Sequence, residues 1–148
     1  MTELAITPHP ERPLKTGIVS SLFAEIADAL ARFAETGEIH KIDLRSLPMT
    51  EADRTEIDER LGVGEVRADL AVIGRSEVWE TAYAGVWRVR HYGALDAIAA
   101  DEVVIASAPD ILFTHRDDAR AAAKRLKGEL ADGSQPDDNS QWKDAAHA

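Results

Sequence analysis

Apolar and polar positions alternate in two rhythms along this chain. Ile18, Leu22, Phe23, Ile26, Leu30 and Phe33 recur every three to four residues, which predicts a helix over about 16–36 ended by Gly37. Ala119, Ala122, Ala123, Leu126 and Leu130 repeat that rhythm and predict a last helix over about 115–131, with Thr114 as its cap and Asp117 and Asp118 in its first turn. Between them the period falls to two. Val66, Ala68 and Leu70 alternate with Glu65, Arg67 and Asp69, the pattern of a half-buried strand. Further strands are expected over 76–82, 86–92 and about 97–106, with a tight turn at Ala84-Gly85 and a second turn at 93–96.

Two shorter elements precede them. Ile39 to Leu44 reads as a strand. Thr50 with Asp53 three residues on forms a capping-box pattern, with Asp in the place of the usual Glu or Gln, and starts a helix of about 51–61. Its apolar positions are few (Ala52, Ile57 and Leu61), so it is expected to lie on the surface. The order helix, strand, helix, four strands, helix predicts an α+β fold: a mostly antiparallel sheet of about five strands under three helices, in two layers. Residues 1–15, with Pro8, Pro10 and Pro13, read as an extended arm. Residues 16–131 read as a single domain, and 132–148, rich in Gly, Ser, Asp, Gln and Pro, as a disordered tail.

Composition narrows the function. The formal net charge of −10 argues against a phosphate-binding surface, so neither nucleic acid nor an anionic membrane is an expected partner. The absence of cysteine excludes disulfides, thiolate metal sites and cysteine nucleophiles. No apolar run has the length of a membrane span, and residues 1–15 lack a signal-type apolar core. Membrane insertion is not expected, and cytoplasmic residence is.

The densest chemistry lies between Gly64 and Tyr92. Gly64-Glu65-Val66 is followed by Ser76-Glu77-Val78-Trp79-Glu80-Thr81 and by Gly85-Val86-Trp87-Arg88-Val89-Arg90-His91-Tyr92. Upstream stand Ile42-Asp43-Leu44-Arg45-Ser46-Leu47-Pro48 and Thr50-Glu51-Ala52-Asp53-Arg54; downstream stands Pro109-Asp110-Ile111-Leu112. In this order and spacing the elements resemble the C-terminal conserved region of the HupH/HyaF/HoxQ-type hydrogenase expression/formation proteins, from about Ile18 to Leu130. Many members of that family carry two related regions, whereas this chain holds one. Gly93-Ala94-Leu95-Asp96 also stands where an Asn-containing turn is expected. The resemblance implies a chaperone-like accessory protein for maturation of a [NiFe] hydrogenase. Its implied partner is a hydrogenase subunit precursor, the small subunit above all, with a thioredoxin-like accessory protein working alongside. It carries over no catalytic residue.

Read as chemistry, the same residues leave two function classes. Glu65, Glu77 and Glu80 with His91 could serve a small acid–base enzyme if they converge. Alternatively the carboxylates pair with Arg67, Arg88 or Arg90 across strands, and His91 is a sheet residue with a hydrogen-bond partner. Ser76 has no nucleophile elbow around it, and Gly62 and Gly64 are not followed by the Lys-Ser/Thr of a phosphate loop. Trp79 and Trp87 could each be core or an interface anchor. Trp87, whose face holds Val89, reads as core; Trp79, whose face holds Glu77 and Thr81, reads as partly exposed. The protein-binding candidates are therefore Glu65, Glu77, Trp79, Glu80, Trp87, Arg88, Arg90 and His91. No cofactor is expected, and His40, His91 and His115 show no metal-ligand spacing. Elemental analysis of the purified protein is expected to find no stoichiometric Zn, Fe or Ni. About one metal per chain would contradict this and point to His91 with Glu77 or Glu80.

Overall fold

The structure, a computed structural model, describes residues 14–71 and 74–133. The predicted disordered tail from 134 onward, and all but the last two residues of the predicted arm, lie outside the described residues. The described chain forms helix α1 (Ile18–Thr36), strand β1 (His40–Asp43), helix α2 (Glu51–Leu61), strands β2 (Arg67–Leu70), β3 (Ser76–Glu80), β4 (Val86–Tyr92) and β5 (Ile98–Ile105), and helix α3 (Arg116–Ala131). The five strands make one open sheet in the order β1-β5-β4-β3-β2, every neighbour antiparallel. This is the expected α+β class. No helix among the described residues is long and apolar enough to cross a membrane.

The chain divides into two compact units, one ending at Asp110 and one beginning at Ile111. The first holds the sheet with α1 and α2. Val19, Leu22, Ile26 and Ala29 recur on one stripe of α1 and are all buried. They pack with Ile57 and Leu61 of α2 and with Ile42, Val86, Val103 and Ile105, which project from one face of the sheet. Two layers result, with the core between helices and sheet. The second unit contains α3. Its N-cap is His115, without a side-chain cap, and not the expected Thr114. The backbone of His115 is extended, with φ −70° and ψ 143°, so the helix starts only after it and Thr114 lies outside.

Helix α2 departs from the expectation of a surface position. Ile57 and Leu61 are among the most deeply buried side chains of the protein, and Asp53 has no exposure at all. Three buried positions suffice because α2 is short and is held at its start by a polar clamp rather than by a wide apolar face. The Thr50 hydroxyl accepts from the Asp53 N–H at 3.2 Å, and the Thr50 N–H donates to the Asp53 carboxylate at 3.0 Å, the complete capping box. The same carboxylate accepts from the Thr16 N–H at 3.1 Å and the Thr16 hydroxyl at 2.8 Å. One aspartate thus ties the start of α2 to the residues that lead into α1.

The alternation that runs from Glu65 to Leu70 becomes a strand only at Arg67. Residues 64–66 still follow β3: the Gly64 N–H donates to the Glu80 carbonyl at 2.7 Å, and the Glu80 N–H donates to the Val66 carbonyl at 2.9 Å. A side chain at Gly64 would sit 2.5 Å from the Thr81 carbonyl oxygen, so only glycine lets the two backbones approach.

Asp53 gives this fold an acid-sensitive joint. The Thr50 N–H acts most strongly on its carboxylate; burial opposes, the Thr16 bonds and the Thr50 hydroxyl assist, and the pKa falls to about 2. A depressed carboxylate contributes stability that is complete above its unfolded pKa of about 4 and lost as pH falls through the folded value of about 2. Asp53→Asn is therefore expected to melt several degrees below wild type at neutral pH, with the gap closing from about pH 4 down to about pH 2. A gap independent of pH over that range would contradict the clamp.

Candidate functional site

Strand alternation sorts the candidate residues onto two faces. Register pairs Trp79 with Arg88, Glu77 with Arg90, and Arg90 with Asp101, and all of these project on the helix-bearing face with Val86, Val103 and Ile105. Trp87, Val89, His91, Ser76 and Glu80 project on the other. Of the sequence-derived candidates, the structure therefore brings together Glu77, Trp79, Arg88 and Arg90. Trp87 is only 6% exposed and its indole N–H donates to the Ala106 carbonyl at 3.1 Å, a core role. The His91 Nδ1 and Ser76 Oγ are hydrogen-bonded at 2.7 Å across β3 and β4. Glu80 lies on the same face as His91 but opposite Trp87, four residues along β4, or roughly 13 Å away. Glu65 is exposed in the loop before β2. The carboxylates and the imidazole of the acid–base reading do not converge.

On the helix-bearing face the core gives way to buried charge. Arg88 is 2% exposed and Asp101 5%. The Arg88 Nη2 donates to both Asp101 oxygens at 2.9 Å, and its Nη1 donates to Asp58 of α2 at 2.8 Å. Arg90 Nη2 donates to Asp101 at 3.1 Å. Burial opposes the charge on Arg90, but Asp101 and Tyr92 outweigh it and raise its pKa, so the guanidinium stays charged. Both guanidinium carbons stand 5.3 Å from the centre of the Trp79 ring, cation–π distance. Trp79 is half-buried, as expected. Glu77 continues the network. It accepts from the Tyr92 hydroxyl at 2.8 Å and pairs with Arg67 at 3.3 Å, while Arg75 stacks on the Tyr92 ring at 4.1 Å.

Two adjacent hollows open over this network. One, of about 210 Å³, is walled by Leu44, Met49, Arg54 and Ile98; the other, of about 300 Å³, by Gly62, Val63, Arg67, Glu77 and Trp79. Both are shallow, and both are lined by Asp58, Arg88 and Arg90. The Arg88–Asp58 pair therefore stands between them. Among the described residues no group of His, Asp and Glu is arranged to hold a metal ion.

Sequence reasoning missed Asp58 and Asp101. Asp101 is legible in principle once β4 and β5 are registered, because it falls opposite Arg90. Asp58 carries no local signal: it reaches Arg88 from 30 residues away, and only packing of α2 brings it there. Arg90, one of the protein-binding candidates, is mostly buried and bonded.

Residues 19–132 match the family described as "HupH hydrogenase expression protein, C-terminal conserved region". A relative from Rhodobacter capsulatus, hydrogenase expression/formation protein HupH, is 33% identical over 117 residues, 78% of this chain and 42% of its own length. Hydrogenase expression/formation protein HoxQ of Azotobacter vinelandii is 29% identical over 80% of this chain and 41% of its own length. The chain thus spans about two fifths of the length of these relatives. A solved structure, hydrogenase expression protein HupH from Thiobacillus denitrificans, superposes with a TM-score of 0.77 at 36% identity, covering 80% of this chain and 99% of that one.

The charge network makes a stability prediction. Asp101→Ala is expected to destabilise the protein by about 3–5 kcal/mol, because it removes the buried partner of a buried guanidinium. Asp58→Ala, which removes a carboxylate that is 54% exposed, is expected to cost about 1 kcal/mol or less. Chemical denaturation of both variants measures the difference; equal losses would contradict this division of roles.

Proposed function

The chain belongs to the HupH hydrogenase expression protein family, through that family's C-terminal conserved region, and from this premise we propose that it is a non-enzymatic accessory protein in the maturation of a [NiFe] hydrogenase. In this reading it holds an immature hydrogenase subunit in the cytoplasm, the small subunit above all. The surface it uses is the groove between the end of α2 and β3–β4, around Glu77, Trp79, Arg88 and Arg90.

One observation carries the reading: a tryptophan left half-exposed against the buried, charge-locked pair Arg88 and Asp101. A large aromatic ring costs free energy when it faces water. Here it is held in place by two guanidinium groups that are themselves fixed by Asp101, so its orientation is set before any partner arrives. Such preorganisation limits the entropy lost on association, and Trp and Arg are among the residues most enriched at binding hot spots. The neighbouring hollows are shallow and have apolar walls at Val63, Met49 and Ile98 beside charged groups, a shape suited to a protein segment. Strand β2, an edge of the sheet, flanks the second hollow through Arg67 and offers main-chain groups for strand addition. Acid–base chemistry has less support, since Glu77 and His91 project from opposite faces.

The test is Trp79→Ala. The variant is expected to stay folded, because the ring is only half-buried and Arg88 keeps both its carboxylates. It is expected to lose about 2 kcal/mol or more of affinity for the hydrogenase subunit precursor, roughly thirtyfold. Capture of that precursor from hydrogenase-expressing cells, alongside a melting curve, measures both. A folded Trp79→Ala protein that captures the precursor at wild-type strength would sink the proposed surface.

A further inference from the structure

We infer that the groove takes an acidic side chain of its protein partner, and that Asp58 is an internal stand-in for that carboxylate. The inference rests on the reading of this groove as the docking surface, and it names the chemistry recognised there.

The two carboxylates on Arg88 are unequally buried. Asp101 is buried and bonds Arg88 and Arg90 together, so it is a fixed part of the fold. Asp58 bonds the same guanidinium at 2.8 Å, yet its side chain is 54% exposed on α2. It can leave Arg88 for water with little loss, whereas Asp101 cannot. The geometry of the seated Asp58 already demonstrates that Arg88 accommodates a carboxylate approaching from the groove side.

Charge balance gives the number of carboxylates that fit. With Asp58 seated, the first hollow is lined by Arg54, Arg88 and Arg90 against Glu51, Asp58 and Asp101. When Asp58 swings out, one guanidinium charge is left without its partner. A single incoming carboxylate restores the balance. Donor capacity points the same way: Arg88 and Arg90 each have a buried Nε–H with no hydrogen-bond partner among the described residues. Among those residues the groove has unused buried donors and no unused buried side-chain acceptor, which selects an acceptor ligand. The apolar wall formed by Met49 and Ile98 on one side, and by Val63 and Trp79 on the other, selects an apolar residue next to the acidic one. The occupant is thus an acidic-and-apolar peptide segment, and the open site is available only in the fraction of molecules where Asp58 is displaced.

The experiment titrates the full chain with the peptide acetyl-Leu-Asp-Leu-amide and with its twin in which Asn replaces Asp. Calorimetry or the shift of the Trp79 indole resonance reads binding at low ionic strength. Removing an internal competitor raises apparent affinity by the inverse of the open fraction. Asp58→Ala is therefore expected to bind the Asp peptide about tenfold more tightly than wild type does, with no gain for the Asn twin. Asp58→Asn, which keeps the side-chain volume, is expected to show the same gain, and Arg90→Gln is expected to lose it. No gain in either Asp58 variant, or an equal gain for both peptides, overturns the inference. Failure here is distinguishable from failure of the accessory role. Subunit precursor captured by wild type with no peptide gain in Asp58→Ala overturns only the carboxylate inference. A peptide gain without precursor capture supports the inference and counts against the hydrogenase reading.

Discussion

A guanidinium removed from water has to be met by carboxylates, and much of the first unit is arranged around meeting Arg88. Its side chain lies in the layer between sheet and helices, where an unpaired charge would cost several kcal/mol. Asp101 answers it from β5, which fixes the register of β4 against β5 through a charge as well as through main-chain bonds. Asp58 adds a second, half-exposed bond from α2. The same guanidinium, with Arg90, lies against the Trp79 ring and sets its orientation. One buried charge therefore links a strand pair, a helix and the aromatic group on which the proposed function turns. A wholly apolar face would pack at least as well, so the network is poorly explained by stability alone.

The division of the helix-bearing face follows from this constraint. Where α1 and α2 lie over Val86, Val103 and Ile105, the contacts are aliphatic and closed. Where β3 and β4 extend past them, the contacts become ionic and the surface opens into two hollows. On the opposite face the polar groups are settled pairwise: Trp87 closes onto the Ala106 carbonyl, and His91 onto Ser76. The proposed function is thereby confined to one patch, whose shape depends on side chains locked from below and from the side.

How far this was readable from the sequence differs element by element. Helix α1 was legible because its apolar stripe and its glycine cap agree, and β3 to β5 because their alternation and turns agree. The capping box of α2 was legible because it is a pattern of neighbours. The burial of α2 was not, since Ile57 and Leu61 meet α1 and the sheet only in the packed fold, and Asp53 reaches Thr16 across 37 residues. The same distinction governs the site. Alternation along β3 put Glu77 and Trp79 on one face, and the structure keeps them there beside Arg88 and Arg90; Trp87, a candidate for the same surface, projects from the opposite face. Which charges are buried, and that Asp101 and Asp58 hold them, are tertiary facts that local pattern does not encode.

The chain matches about two fifths of the length of its relatives, and the proposed surface lies wholly within the matched region. The most direct measurement is hydrogen–deuterium exchange on the full chain, free and bound to a hydrogenase subunit precursor. The account predicts new protection at the end of α2, at Val63 and along β3, with the buried amides of α1 unchanged. Protection confined to other surfaces, with the amides around Asp58 and Trp79 exchanging as in the free protein, would contradict it.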